Sequence, residues 1–216
     1  MKLYTFWRSS AAYRARIALN YKGLAYEQVA KKFARGEHRA PEYTALNPQG
    51  LIPALEDGGE VIGQSLALIE YLEETHPRPP LLPRDARGRA QVRSMAQGIA
   101  CDIHPLNNLR VLNYLKGPLG HDEAAVRTWY QHWIAEGFRG LEEQARRYTG
   151  DRRHLYGTAV TLADVCLVPQ LYNARRYACE LGPFPTLVAI GSALEALPAF
   201  AAARPEVQPD AEPVQA

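Results

Sequence analysis

The sequence predicts two units, an α/β unit of about 80 residues followed by an all-helical unit, and three observations predict it. Short strand-like runs alternate with helical patterns as far as Leu72. A proline-rich break, His76-Pro77-Arg78-Pro79-Pro80 on to Pro83, then stops any helix. Beyond it, apolar residues recur only at helical spacing. These place an α/β domain at 1–80, a linker at 81–88, a helical domain at 89–205 and a flexible tail at 206–216.

Lys2–Phe6, rich in Tyr, Phe and Thr, reads as the first strand. Ser9-Ser10 supplies hydroxyls ahead of a helix over Tyr13–Tyr21, which Gly23 ends as a C′ glycine. Tyr26–Val29 is a second strand, followed by a polar loop from Lys31 to Ala40 and the turn Asn47-Pro48-Gln49-Gly50. Ala54–Glu56 and Val61–Gly63 flank the hairpin signal Asp57-Gly58-Gly59. A helix opens at Ser65, with Leu68 and Leu72 on one face. In the helical unit, Val92, Met95, Ala96, Ile99 and Ile103 make one buried face, and Trp129, Trp133, Gly137 and Leu141 are read as another. Thr161-Leu162-Ala163-Asp164 is a capping box with a structural role, and shorter helices follow around Thr186–Leu197. The segment from Pro205 is expected to fray.

The 216 residues carry Lys+Arg 25 against Asp+Glu 23, a net charge of +2. That balance lacks the clustered excess of basic charge that nucleic-acid or membrane-surface binding needs. Arg146-Arg147 and Arg152-Arg153 read as solvated helix ends. Cys101, Cys166 and Cys179 show no metal-ligand spacing, so no metal is expected; scattered and odd in number, they suit a reducing compartment. The first residues lack the apolar core of a signal peptide, and no apolar run spans a membrane, so the cytoplasm is expected.

The chemistry concentrates where helices begin. Trp7-Arg8-Ser9-Ser10 lies between the end of the first strand and the first helix, where α/β sheets place ligands. Unpaired N–H groups and the dipole at a helix N-terminus favour an anion, and a serine hydroxyl beside a thiolate would lower that thiol's pKa. From the spacing alone, a plain N-cap is the better account of Ser9 or Ser10. Gln64-Ser65 also opens a helix and could hold a carboxylate or merely cap. His104 precedes Pro105 and could mark a kink; Asn108, four residues on, would share its face. His38 alone reads as a loop histidine and Arg176 as a late-helix charge.

Taken together, Arg8-Ser9-Ser10-Ala11-Ala12-Tyr13-Arg14-Ala15-Arg16-Ile17-Ala18-Leu19, Leu46-Asn47-Pro48-Gln49-Gly50-Leu51-Ile52-Pro53-Ala54-Leu55 and Ile62-Gly63-Gln64-Ser65-Leu66-Ala67-Leu68-Ile69-Glu70-Tyr71-Leu72 resemble the cytosolic glutathione transferases. In the second domain Cys101-Asp102-Ile103-His104-Pro105-Leu106-Asn107-Asn108 and Thr161–Gln170 carry the resemblance too; the first segment and the Ile-His-Pro-x-x-Asn stretch point to the zeta class, and the resemblance runs from Met1 to about Asp210. It implies a thioredoxin-like N-terminal domain followed by an all-α domain, a homodimer, and glutathione as cofactor. It further implies that Ser9, with Ser10 beside it, bonds the glutathione sulfur. Ile52, before a cis Pro53, would pair with the cysteinyl backbone. Gln64 and Ser65 would hold the γ-glutamyl end, and His38, His104 and Asn108, with Leu109 and Arg110 following, would meet the peptide. Arg8 and Arg176 would receive substrate carboxylates.

The family's Ser-Ser-Cys reads Ser9-Ser10-Ala11 here, so any nucleophilic thiol must come from glutathione. The activity implied is glutathione-dependent cis–trans isomerisation of a maleyl acid, a small dicarboxylate, in aromatic-compound or amino-acid catabolism. Two alternatives stay open: a transferase or dehalogenase of small α-haloacids, and a non-catalytic binding module of the same fold.

Overall fold

The computed structural model describes residues 1–212 and divides into two units: Met1–Pro80 with the segment from Ala196, and Leu81–Glu195. In the first, β1 (Lys2–Thr5), α1 (Ser10–Tyr21), β2 (Glu27–Ala30), α2 (Pro41–Leu46), β3 (Ala54–Asp57), β4 (Glu60–Gly63) and α3 (Ser65–Thr75) build a sheet of order β2-β1-β3-β4. β1 and β2 run parallel, joined through α1; β3 is antiparallel to β1 and to β4. The hairpin forms where Gly58 (φ 59°) and Gly59 (φ 90°) both take the left-handed backbone that a two-residue turn needs.

α1 starts one turn earlier than the apolar pattern suggests, because Ser9 caps it: its Oγ accepts the Ala12 N–H at 3.3 Å. It ends as the glycine foretells. Gly23 is left-handed, with Gly23 N–H donating to Asn20 and Leu24 N–H to Leu19, the paired bonds of a Schellman motif. α2 escaped the sequence reading: six residues with one buried side chain, Tyr43, are too few to show a period. Lys22, its side chain fully buried, donates to Glu73 Oε2 (2.8 Å) and to the carbonyls of His76 (2.7 Å) and Pro79 (3.1 Å), which pins the proline-rich segment to this unit.

The second unit contains α4 (Ala86–Gln97), a π-helical segment (Gly98–Ile103), a 3-10 turn (His104–Asn107), α5 (Leu109–Lys116), α6 (Glu123–Tyr148), α7 (Leu162–Arg176) and α8 (Pro185–Glu195). Residues 81–88 are not a free linker. Leu81 and Leu82 are buried, Leu81 O accepts the Leu162 N–H at 2.8 Å, and Asp85 caps α4. The expected face of α4 is correct: Val92, Met95, Ala96, Ile99 and Ile103 are all buried.

On α6 the expected face is met at Leu141 but lies one residue out of phase before it. The buried stripe is Val126, Tyr130, Ile134, Phe138, Leu141 and Ala145, while Trp129 and Trp133 are half-buried at its edge. Trp129 keeps contact with water and spends its indole N–H on Leu106 O at 2.8 Å, as an amphipathic ring does at a boundary. Gly137 has a steric reason: a Cβ there would lie 2.2 Å from Ile103 Cδ1, so α6 packs directly on the π-helical segment. Glu142, buried on α6, accepts the Thr186 and Leu187 N–H groups at 3.0 Å and so caps α8 from outside. At the end of α6, exposed Arg146 pairs with Glu142 and Glu143.

The helical domain also stops short of 205. α9 (Pro198–Ala201) and the residues after it belong with the first unit, where α9 packs on α1. Nor does the segment fray through Glu212. Gln208, buried, donates to Ala202 O (3.0 Å) and Arg204 O (2.7 Å), and Gln28 Nε2 on β2 donates to Gln208 Oε1 at 3.1 Å. Polar side chains satisfying loop carbonyls hold it where apolar content is low; residues 213–216 of the expected tail lie outside the described residues.

Candidate active site

Strand register alone gathers the chemistry of the first unit at one end of its sheet. Tyr4 pairs with Ala54 across β1 and β3, and Ala54 pairs with Gly63 across β3 and β4. The next residues along each strand are therefore neighbours: the turn Phe6–Ser9, the Ile52–Pro53 step and Gln64-Ser65. This is the carboxyl end of β1, where a ligand meets the N-terminus of α1.

Ser9 is half-buried at the N-cap of α1. Its oxygen accepts from Ala12, so its hydroxyl hydrogen remains for a second acceptor. Ser10 differs: it is the first residue of the helix and 5% exposed, so Ser9 rather than Ser10 faces a ligand most directly. The Arg8 guanidinium lies 5.1 Å from the Trp7 ring centroid, a cation–π contact that keeps the charge beside the turn.

The Ile52–Pro53 bond is cis, as the resemblance implies, and Ile52 is 7% exposed. Behind it, the Leu51 carbonyl accepts from Tyr43 Oη (2.6 Å) and Asn47 Nδ2 (2.7 Å). The backbone before the strand is thus fixed from below, which suits pairing with an added peptide. Gln64 holds φ 65°, ψ 117°, a backbone state that a side chain with a Cβ adopts only under constraint. That strain sits at the N-terminus of α3. Gln64 Nε2 donates to Gln49 Oε1 at 2.7 Å, and Ser65, buried, accepts at Oγ from Arg14 Nη1 at 3.4 Å. Arg14, 1% exposed, puts a buried cation against Ser65 at the start of α3. The sequence reading missed Arg14 and Gln49; the signal was an arginine pair, Arg14 and Arg16, inside an otherwise apolar helix.

His38 stacks on Phe33 with centroids 4.1 Å apart, and Phe33 on Phe6 at 5.0 Å, so the loop histidine is tied to the serine turn. Its Nδ1 is buried without a protein partner among the described residues. Burial, and then Arg39, push its pKa below the usual histidine range, so it is neutral near pH 7. A neutral ring with an orphaned buried nitrogen fits a ligand that supplies the missing hydrogen bond. With two helix N-termini, a fixed backbone segment ahead of β3 and this nitrogen, the residues fit an extended peptide bearing a thiol and a carboxylate.

In the second unit, Pro105 breaks the helix because it has no N–H to give. The break corrects one expectation: His104 and Asn108 do not share a continuous helical face. His104 lies in the 3-10 turn, whereas Asn108 is extended (φ −70°, ψ 146°) and caps α5, its Oδ1 accepting the Arg110 N–H at 3.1 Å. Leu109 and Arg110 form the exposed first turn of α5. Arg176, exposed, ends α7 and lines a cleft of about 230 Å3 with Lys116, Arg127, Glu123 and Tyr177. Its guanidinium lies 5.0 Å from the Tyr177 ring, which stacks on Tyr130 at 3.5 Å. Ala178 follows at φ 51°, held by Gln131 Nε2 bonding the carbonyls of Tyr177 (3.0 Å) and Ala178 (3.2 Å). Arg176 thus stands on a fixed turn, in a cleft where Lys116 pairs with Glu123 and Arg127 adds a further cation, which no sequence motif announced.

Comparison with known proteins agrees with this geometry. The N-terminal domain of glutathione S-transferases matches residues 1–74. A probable maleylacetoacetate isomerase of Vibrio cholerae is 52% identical over 97% of both chains. The holo structure of a bacterial zeta-class maleylpyruvate isomerase superposes with TM-score 0.96 at 47% identity, over 98% of this chain and 100% of that one. A maleylacetoacetate isomerase from Methylobacterium extorquens AM1, solved with malonate and glutathione bound, gives TM-score 0.94 at 40% identity, over 98% and 100%. Near-complete coverage at such identity leaves no part of the architecture unaccounted for, and the chain belongs to the zeta-class glutathione transferases, the family of the maleylacetoacetate and maleylpyruvate isomerases.

Proposed function

We propose that this chain is a glutathione-dependent cis–trans isomerase acting on a maleyl acid, either maleylacetoacetate or maleylpyruvate. The observation that carries the reading is the convergence of the Ser9 cap, the cis Ile52–Pro53 step and the strained Gln64-Ser65 start of α3 at one sheet end. Bound glutathione supplies a thiolate that adds to the cis double bond, allows rotation about the resulting single bond and is eliminated unchanged.

The chain's own groups do the rest. Ser9 donates its hydroxyl hydrogen to the sulfur, and the N-terminus of α1 favours the negative charge there. Ile52 holds the cysteinyl backbone, Gln64 and Ser65 hold the γ-glutamyl carboxylate with Arg14 beneath, and His38 completes the peptide's contacts. His104, Asn108, Leu109 and Arg110 are the contacts proposed from the helical unit. Arg8 and Arg176 receive substrate carboxylates and stabilise charge developing on the carbonyl side of the double bond. A homodimer in the cytoplasm completes the proposal; the three free cysteines suit that compartment, and no helix of the described residues is long and apolar enough to cross a membrane.

Purified protein given maleylacetoacetate and maleylpyruvate, with and without glutathione, tests the activity. A glutathione-dependent fumaryl product from one of them is expected, and product from neither sinks the proposal. Arg176→Ala is expected to raise KM about tenfold, the loss of one partly exposed charge-assisted contact, with a smaller fall in kcat. Steady-state kinetics with the accepted substrate check it, and an unchanged KM removes Arg176 from substrate binding.

A further inference from the structure

The turn that carries Ser9 is held by groups far from it in sequence. Arg16, fully buried on α1, donates through Nη2 to Trp7 O (2.8 Å), through Nη1 to Thr5 Oγ1 (3.1 Å) and Phe6 O (3.4 Å), and through Nε to Ala203 O (3.1 Å). Asp210 Oδ2 accepts the Trp7 N–H at 2.9 Å, 203 residues away along the chain. The Phe6 carbonyl also accepts the Ser9 N–H at 3.0 Å. The Phe6 and Trp7 carbonyls and the Trp7 N–H are therefore each held by a charged side chain. The C-terminal segment is in turn fixed by Gln208 and by Asn20 Nδ2, which donates to Ala199 O at 3.3 Å. The two charges act on the same turn, and the carboxylate, after Tyr26, offsets part of the cost of burying the guanidinium.

We propose that Asp210 is a positioning residue of the isomerase: with Arg16 it clamps the Phe6–Ser9 turn, and so sets the angle at which Ser9 meets the glutathione sulfur. The inference rests on the proposed role of Ser9 and adds to it. Ser9 depends for its placement on the Trp7–Arg8 backbone and on its own weak cap bond of 3.3 Å to Ala12. Without the carboxylate, the Trp7 N–H loses its acceptor, Arg16 loses a nearby opposite charge, and the turn gains freedom. Hydrogen bonds to charged groups depend steeply on angle and distance, so a looser turn raises the thiol pKa while the peptide contacts at Ile52 and Gln64 stay in place.

The test uses full-length Asp210→Ala and Asp210→Asn beside the wild type. The thiolate ultraviolet band of the glutathione complex and the acid limb of kcat are titrated, and thermal stability is followed separately. Asp210→Ala is expected to move both titrations up by about half a pKa unit or more. Turnover then falls about threefold on the acid side and recovers at alkaline pH, with the glutathione Kd changing less than twofold. Asp210→Asn keeps an acceptor for the Trp7 N–H and is expected to shift less. Unmoved titrations in Asp210→Ala, whatever its melting temperature, overturn the proposal. Ser9→Ala run alongside keeps the two readings apart: a shift there without one in Asp210→Ala rejects only the clamp, whereas no shift in either rejects the serine's role and the clamp with it.

Discussion

Ser9→Ala is expected to lower kcat by about ten- to a hundredfold near pH 7 and to displace the acid limb of the pH–rate profile upward by about one to two units. A hydrogen bond to a charged group stabilises it by about 1.5–3 kcal/mol, which is a pKa difference of roughly one to two units. The same substitution removes the N-cap of α1, because Ser9 Oγ accepts the Ala12 N–H, and this costs about 1 kcal/mol of stability. Reduced turnover alone would therefore be ambiguous. Ser9→Gly separates the two effects, since glycine caps within a few tenths of a kcal/mol of serine but has no hydroxyl. It should keep most of the melting temperature and lose the same turnover as alanine. Pre-steady-state rates and thiolate absorbance measured from pH 5.5 to pH 9 decide the matter, and an unmoved acid limb in both variants removes the serine from the mechanism.

What the sequence discloses about this site follows from how local each determinant is. Ser9 announces itself because its cap bond to Ala12 spans only three residues, whereas the Gln64–Gln49 and Arg14–Ser65 bonds span 15 and 51. Gly23 and Gly58-Gly59 are legible for the same reason: a positive φ is a property of one residue. The α6 stripe was misread because residues four apart on adjacent faces give nearly the same period. Trp129–Trp133–Gly137–Leu141 and Val126–Tyr130–Ile134–Phe138 differ in phase, and only the partner helices choose between them. The break at Pro105 was foreseen as a kink, but the separate capping of α5 by Asn108 depends on how the chain re-enters a helix, which a proline alone does not state. Least legible were Arg14, Arg16 and Asp210. Their partners are 51 and 203 residues distant for the Arg14–Ser65 and Trp7–Asp210 bonds, and a buried arginine in a helix reads from sequence as a surface charge.

Asp164→Ala is expected to cost about 3–5 kcal/mol, the largest stability loss of any single substitution considered for this chain. Asp164 is fully buried at the start of α7, and its two oxygens accept from Leu155 N–H (2.8 Å), Thr161 N–H (2.7 Å) and Thr161 Oγ (2.8 Å). Alanine leaves two buried backbone donors without acceptors and detaches the 155–161 loop from α7, whereas Asp164→Asn keeps one acceptor oxygen and should cost about half as much. Burial raises the carboxyl to about 6, against its hydrogen bonds, which pull the other way. The folded protein therefore holds this proton more tightly than the unfolded chain, where an aspartic acid titrates near 3.9. The stabilisation from this group is full below about pH 4 and is lost as pH rises through 6. Asparagine cannot ionise, so the penalty of Asp164→Asn should shrink between pH 4.5 and pH 7.5. Urea unfolding of both proteins at the two pH values measures the difference. A penalty that instead grows with pH would mean that Asp164 is held as a carboxylate, with its three donors outweighing the loss of water.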